Sequence, residues 1–449
     1  MQKNVDLLNG PVLSSLSRLA LPIMATSLIQ MAYNLTDMIW IGRIGSNAVA
    51  AVGAAGMYMW LSNGLASLSK MGGQVNAGYS LGSNRREEAA KYVSNAFQLT
   101  LLLGLLYGTI CIVFANPLIG FFNLNSPQVI ADAHIYLQIT CGFVVFSFLN
   151  QTFTGIFTAI GNSKAAFLAT TVGLVMNIFL DPALIFGIGP FPRLNVMGAA
   201  IATVIAQAVV TLIFLYLAFK DHVLFRNVTI FKKPNTAYLS SILQIGLPTC
   251  IQNMLFTGIS MIIARMVASY GDAAVAVQKV GSQIESISWM TSDGFAAAVN
   301  SFIAPNRGAG NKARIKKGYT SAMGIVLLWG VICTLLLMLC PAPIFRIFIT
   351  EAAILPLGID YLVILGVSQL PMSVEITTAG AFAGYGKTIP PSIVSIIFTA
   401  IRIPLALALI RTPLGLNGIW WSITISSILK GILLFIWFVF ILKKDMRKE

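Results

Sequence analysis

Apolar stretches of twenty or more residues recur along the whole 449-residue chain, and they constrain the fold more than any other feature. Each stretch is long enough to cross a hydrocarbon core of about 30 Å as a helix. Backbone polar groups in lipid must find hydrogen-bond partners within their own segment, so each stretch is expected to be helical. Only 10% of the residues are charged. The sequence therefore predicts an all-α integral membrane protein.

Twelve membrane spans are predicted from these stretches, with six in each half of the chain. They lie at 16–40, 50–81, 92–115, 130–156, 165–187, 197–219, 238–268, 273–304, 318–340, 352–382, 389–411 and 416–442. Lys and Arg concentrate in alternate links, and the other links hold only four arginines. Because basic links stay in the cytoplasm, both termini are predicted there, in a multi-pass protein of the inner (plasma) membrane.

The net charge of +14 comes mostly from these cytoplasmic links, so we expect no nucleic-acid partner. The five cysteines show no CxxC spacing, and neither a disulfide nor a metal centre of Cys and His is predicted. The chain carries no HExxH helix and no His/Asp cluster that would suit an intramembrane enzyme. We predict that the protein is not an enzyme and has no cofactor besides a possible Na⁺ or H⁺.

The second half of the chain repeats the first. At a shift of 226, Leu21-Pro22 falls on Leu247-Pro248, and the segment GSNAVAAV at 45–52 falls on GDAAVAVQ at 271–278. Six helices are an even number, so both copies face the same way, related by an axis along the membrane normal. We predict an N-terminal lobe at 1–219, a cytoplasmic linker at 220–237 and a C-terminal lobe at 238–449. Two pseudo-symmetric six-helix bundles around a central cleft are typical of an alternating-access transporter.

Carboxylates within the apolar spans are the most informative residues, because ionisable groups at membrane depth are costly and usually face the protein interior. Asp37 and Asp181 have no basic residue within a helical turn in sequence. Asn177 precedes Asp181 by one helical turn and so shares its helix face. With Thr203 on the next helix, these groups offer oxygen ligands for Na⁺ or a hydrogen-bonded site for a proton. The sequence leaves the choice between Na⁺ and H⁺ open.

The second copy of the repeat lacks these acids. At the same shift Asp37 falls on Ile263, and at a shift of 225 Asp181 falls on Ala406 and Asn177 on Arg402. Scaffold residues tend to repeat with the scaffold, whereas a specialised site need not. This asymmetry favours a functional role for the acids of the first lobe.

Four segments of the sequence are distinctive together: LPIMATSLIQMAYNLTDMIWIGRIG at 21–45, AVAAVGAAG at 48–56, NIFLDPALIFG at 177–187 and AGAFAGYGKT at 379–388. In these segments the chain resembles the multidrug and toxic compound extrusion (MATE) family of transporters, bacterial type, and the resemblance covers nearly its full length. It implies cation-coupled antiport that exports organic, often cationic and amphipathic compounds, with antibiotic resistance as a consequence. The runner-up is a related flippase that exports lipid-linked oligosaccharides or peptidoglycan precursors, although buried acids and only twelve spans argue against it.

The resemblance implies that Asp37, Asn177 and Asp181 form the cation site, and Thr203 is a further candidate for it. The chain departs from some family members at the seventh span, where Gln252 stands in place of an acid. Glu285 and Glu375 are therefore only candidates for a second site in the C-terminal lobe. Candidates for the substrate cleft are Met31, Tyr33, Met57, Gln252, Met254, Phe256, Gln278 and Trp289. The partners expected are small-molecule drugs or toxic organic cations and membrane lipid, and the chain is predicted to be a monomer.

Overall fold

The computed structural model describes residues 6–122, 126–221, 224–230, 232–347 and 354–446, and all regular secondary structure within these ranges is helical. In the first half the helices are α1 Val12–Ile44, α2 Ser46–Gly82, α3 Arg86–Val113, α4 Ala115–Gly120, α5 Pro127–Gly142, α6 Val145–Ala159, α7 Ser163–Phe186 and α8 Asn195–Lys220. In the second half they are α9 Thr236–Ala268, α10 Asp272–Gly308, α11 Lys312–Leu339, α12 Pro341–Arg346, α13 Leu355–Gly366, α14 Gln369–Gly384, α15 Ile389–Ala400, α16 Arg402–Ile410 and α17 Leu416–Met446. The all-α prediction is confirmed.

These helices account for the twelve predicted spans. Eight helical segments are long and apolar enough to cross a membrane, and two further spans are bent pairs, α5 with α6 at 42° and α13 with α14 at 47°. The two remaining predicted spans fall on α2 and α10, which are each 37 residues long but are not among the helices apolar enough to qualify by length and hydropathy. Because α2 and α10 are counterparts in the repeat, each lobe contains one long helix that carries polar side chains into the bundle.

The described chain divides into two compact units, and the division runs through two helices. The first unit is Met1–Asp6 with Leu21–Cys250, and the second is Leu7–Ala20 with Ile251–Glu449. The predicted lobes differ from these units in the first halves of α1 and α9, and the linker belongs with the first unit. Within that unit, Gln98 on α3 donates hydrogen bonds of 2.6 Å to the carbonyl oxygens of Ile230 and Lys232.

Each unit has its own apolar core. In the first, Phe153 stacks on Phe214 with ring centroids 5.3 Å apart, and Phe157 and Phe97 pack around them. In the second, Tyr361 and the fully buried Trp420 meet edge to face at 5.0 Å, with Phe345 and Leu362 in the same cluster. These cores hold the helices that carry the polar groups described below.

Two glycines let the first half of α9 approach α2 inside the first unit. A Cβ atom on Gly246 would lie 2.0 Å from the carbonyl oxygen of Leu68, and one on Gly72 would lie 2.4 Å from that of Ile242. Both distances are far shorter than any van der Waals contact. Neither position can therefore hold a larger residue unless the helix backbones move apart.

Gly246→Ala is expected to destabilise the protein by about 1–3 kcal/mol, because the added methyl group overpacks a backbone contact. The matched control is Gly258→Ala on the same helix, where nothing lies within 4 Å of the added carbon. Thermal unfolding of the purified protein in detergent measures both variants. Equal midpoints for the two variants would show that α2 and α9 are not in close contact.

Candidate functional site

A cluster of polar side chains lies inside the first unit where α1, α5, α7 and α8 meet. Asp37 on α1 and Asp181 on α7 interact electrostatically with each other. Tyr33, one helical turn before Asp37, interacts with both carboxylates and adjoins Thr203 on α8. The structure thus brings Asp37 on α1 together with Asp181 and Thr203, which lie on the consecutive helices α7 and α8. How these residues function remains a prediction.

Asn177 and Asp181 on α7 form the contact that their spacing of one helical turn predicts. The Asn177 side-chain amide donates a hydrogen bond of 3.0 Å to Oδ1 of Asp181. Both residues are completely buried, with 0% of their surface exposed. The helix continues through Pro182 to Phe186. Since a proline cannot donate its backbone hydrogen bond, α7 has a weak point directly after the carboxylate.

Several oxygen atoms in this cluster have no hydrogen-bond partner among the described residues. They are Asp37 Oδ1, Asn177 Oδ1, Asp181 Oδ2, Thr203 Oγ1 and the Tyr33 hydroxyl. The Tyr33 and Thr203 hydroxyls are neighbours, but their geometry is not that of a good hydrogen bond. A buried polar atom without a partner costs about 1–3 kcal/mol. Five such atoms in one place make this cluster a candidate site for a proton or a cation.

Neither carboxylate is neutralised by a basic side chain in the described part of the chain. Two ion pairs in that part of the chain join Arg85 to Glu88 and Lys430 to Glu375, and both lie elsewhere. Two acids without a countercharge in a medium of low dielectric cannot both stay ionised cheaply, because burial and mutual repulsion disfavour the charged forms. The cluster is therefore suited to take up H⁺ or to coordinate Na⁺ through oxygen atoms.

One member of this cluster was not predicted. Tyr136 on α5 is 6% exposed and interacts electrostatically with Asp37, Asp181 and Tyr33. Its local sequence, DAHIYLQIT, resembles any apolar span. Only the packing of α5 against α2 and α8 reveals that Tyr136 adjoins the acids, so no local pattern could have identified it.

The candidate residues for the substrate cleft lie in both units. In the first unit Met57 is exposed and Met31 is half-buried. In the second, Met254 and Phe256 are exposed, and Trp289 and Gln278 are half-buried. Their role in cargo binding is a prediction. Gln252, which stands in place of an acid, accepts a hydrogen bond of 3.0 Å from the Ser392 hydroxyl.

Two buried charges of the second unit are paired with each other. Lys430 on α17 forms an ion pair of 2.8 Å with Glu375 on α14. Arg402, at the repeat position of Asn177, donates to the hydroxyls of Ser426 at 2.6 Å and Ser427 at 3.2 Å. Glu375 thus has a fixed countercharge, whereas the acids of the first unit have none in the described chain.

Glu285, the other candidate acid, lies close to this arrangement. It interacts with the Tyr361 hydroxyl and with the Arg402 guanidinium. Its Oε1 atom is buried without a hydrogen-bond partner among the described residues. Of the two candidate acids in this unit, Glu285 is the one with an oxygen available for a further interaction.

Comparison with known proteins places these features in one family. A family model described as MatE matches residues 22–183 and 248–408, one block in each copy of the repeat. The probable multidrug resistance protein NorM of Thermotoga maritima is 28% identical over 429 residues, covering 94% of this chain and 91% of that protein. The FAD transporter of Shewanella oneidensis is 25% identical over 436 residues, covering 96% and 95%.

A solved structure has the same fold over its whole length. It is the outward-facing conformation of a multidrug resistance MATE family transporter of the MOP superfamily, with a TM-score of 0.91, 24% identity and 99% of each chain covered. This likeness shows the fold alone, which is twelve membrane-spanning helices in two bundles.

Proposed function

Since the chain belongs to the MatE family of membrane transporters, we propose that it is a multidrug efflux antiporter in which H⁺ or Na⁺ drives the export of organic, often cationic compounds. Members of the family are transporters and not enzymes. The name of the Thermotoga maritima relative supports export of more than one drug. We further propose that the protein is a monomer of the inner membrane with both termini in the cytoplasm.

One observation carries this proposal. Asp37 and Asp181 are brought together inside the first unit without a basic partner in the described chain, and each retains a buried oxygen without a hydrogen bond. A structural ion pair would have satisfied those oxygens, as Lys430 does for Glu375. A buried site whose carboxylates have no basic partner in the described chain is suited to bind and release a cation in each transport cycle.

The proposed mechanism is mutually exclusive occupancy. Cargo binds from the cytoplasm or the inner leaflet, and the outward-facing protein then takes up H⁺ or Na⁺ at Asp37 and Asp181. Neutralising the two carboxylates permits a bend in α1 or α7, both of which contain a proline. The bend displaces the cargo to the outside, and the cation leaves on the cytoplasmic side.

The runner-up function, a flippase for lipid-linked oligosaccharides or peptidoglycan precursors, is less well supported. The two relatives described above are named as a multidrug resistance protein and an FAD transporter. In the described part of the second unit, Lys430 is held by Glu375, and Arg402 is held by two serine hydroxyls. Because Lys430 and Arg402 already have partners within the protein, they are poorly suited to bind a phosphate-linked sugar.

Export of ethidium from vesicles that contain the protein is expected to require an inward gradient of one cation, H⁺ or Na⁺. Imposing each gradient separately identifies the coupling ion, because only that gradient supports export above the passive leak. Vesicles without the protein measure the leak. Export that continues unchanged after both gradients are collapsed would contradict the proposed antiport.

A further inference from the structure

The least buried face of α2 carries a strip of side chains that changes from apolar to polar along the helix. Met57, Trp60 and Asn63 are exposed, and Ser67 and Lys70 follow half-buried along the same line. Successive members are three or four positions apart, and residues at these spacings share one face of a helix. The face is apolar in its first half and polar from Asn63 onwards. A helix face of this kind suits an apolar environment in its first half and a polar one from Asn63 onwards.

The polar part of this face is suited to water and not to lipid. Asn63 lies near the middle of α2, which runs from Ser46 to Gly82. At a rise of about 1.5 Å per residue it is roughly 26 Å from one end of the helix and roughly 28 Å from the other. An amide exposed to hydrocarbon at that depth is unfavourable. Asn63 is exposed, and its Oδ1 accepts a hydrogen bond of 3.0 Å from the Gln151 amide on α6.

Lys70 is placed two turns beyond Asn63 on the same strip. Its aliphatic stem packs against α6, where a Cβ on Gly155 would lie 3.1 Å from the Lys70 Cγ atom. No carboxylate of the described chain lies within ion-pair distance of its ammonium group. This differs from Lys430, which is bound to Glu375 at 2.8 Å. Lys70 is thus a half-exposed cation whose stem packs against α6 and which has no countercharge in the described chain.

The fold does not require a lysine at this position. The repeat places Ala296 on the Lys70 position at a shift of 226, and Ala297 at a shift of 227. Gly155 leaves space for the lysine stem in the first unit. The lysine is therefore a property of the first unit and is not part of the shared scaffold.

We propose that Lys70, together with the Asn63–Gln151 amide pair, forms a subsite for an anionic group of the cargo, a carboxylate or a phosphate. The proposal rests on the proposed efflux function and names its cargo class as compounds that carry an anionic group beside a cationic or aromatic part. The ammonium group supplies the countercharge, and the amide pair supplies neutral hydrogen-bond partners one to two turns away. A phospholipid headgroup offers the same phosphate chemistry, so the test must separate the two sources.

Binding of norfloxacin and of its methyl ester to the purified full-length protein in a phosphate-free detergent tests the subsite. Norfloxacin carries a carboxylate and an amine, whereas the ester carries the amine alone. Wild type is expected to bind norfloxacin about tenfold more tightly than the ester, because a charge-assisted hydrogen bond is lost in the ester. Lys70→Gln is expected to bring the ratio of the two dissociation constants close to one, and Lys70→Arg to preserve it.

A ratio that is near one in wild type, or unchanged in Lys70→Gln, would overturn the proposal. Lys70→Met also removes the ammonium charge but keeps an apolar stem, and it replaces Lys70→Gln in the test if that variant does not fold. A phosphorus assay measures the phospholipid that stays bound to the purified protein, and it tests whether a lipid headgroup occupies the subsite. Lys70 would be assigned to a lipid headgroup instead if Lys70→Gln and Lys70→Met both lose one bound phospholipid while the ratio of the two dissociation constants is unchanged. The measurement needs no gradient, so it fails or succeeds independently of ion-coupled export.

Discussion

Asp181→Asn is expected to reduce gradient-driven drug export to the passive leak while the protein still accumulates in the membrane. The variant keeps a side-chain oxygen that can accept the hydrogen bond from Asn177, so the fold of α7 is preserved. It removes the only charge that position can gain or lose. Asp37→Asn is expected to have the same effect, because the two carboxylates act as one site.

Drug resistance of cells and export from vesicles measure both variants, with the protein level checked by immunoblot. Asp132→Asn is the matched control, since Asp132 lies on α5 and only accepts a hydrogen bond from Gln128. The control is expected to retain wild-type export. Wild-type resistance in cells that carry Asp37→Asn or Asp181→Asn would remove both carboxylates from the mechanism.

Lys430→Met is expected to destabilise the protein by about 3–5 kcal/mol, because it leaves the Glu375 carboxylate buried without its countercharge. The side chains of Lys430 and Glu375 are only 5% and 10% exposed. Unlike a surface ion pair, whose loss costs about 0–1 kcal/mol, this pair has little access to water. Unfolding of the purified protein by heat or denaturant measures the loss.

Two controls separate the buried charge from lost packing. The double variant Lys430→Met with Glu375→Gln removes both charges and is expected to recover most of the stability. Arg85→Ala breaks the exposed pair with Glu88 and is expected to change stability by less than about 1 kcal/mol. A single Lys430 variant as stable as wild type would show that Glu375 does not depend on this partner.

The sequence was sufficient to predict the membrane class, the helices and the duplication. Hydropathy and the cost of charge in lipid are local properties, so the spans and Asp37 and Asp181 were visible without any structure. The repeat was also detectable, and the family model matches two blocks that begin at Pro22 and Pro248. The spacing of one helical turn gave the Asn177–Asp181 hydrogen bond.

The remaining features depend on packing between distant segments. Glu375 on α14 finds its partner Lys430 on α17, and nothing near either residue in sequence identifies the pair. The contribution of Tyr136 to the acid cluster has the same cause. The division of α1 and α9 between units depends on close helix contacts such as that of Gly246 with Leu68. Hydropathy cannot show which bundle a half-helix joins.

The most direct test of the central claim is to measure the cation that leaves when cargo binds to the purified protein. Proton release is followed by a pH indicator in weakly buffered solution, and Na⁺ release by equilibrium dialysis with radioactive Na⁺. Cargo binding to wild type is expected to release one of the two cations, and Asp181→Asn is expected to release neither. Saturating cargo binding without release of H⁺ or Na⁺, or release that persists when Asp37 and Asp181 are both replaced by asparagine, would contradict it.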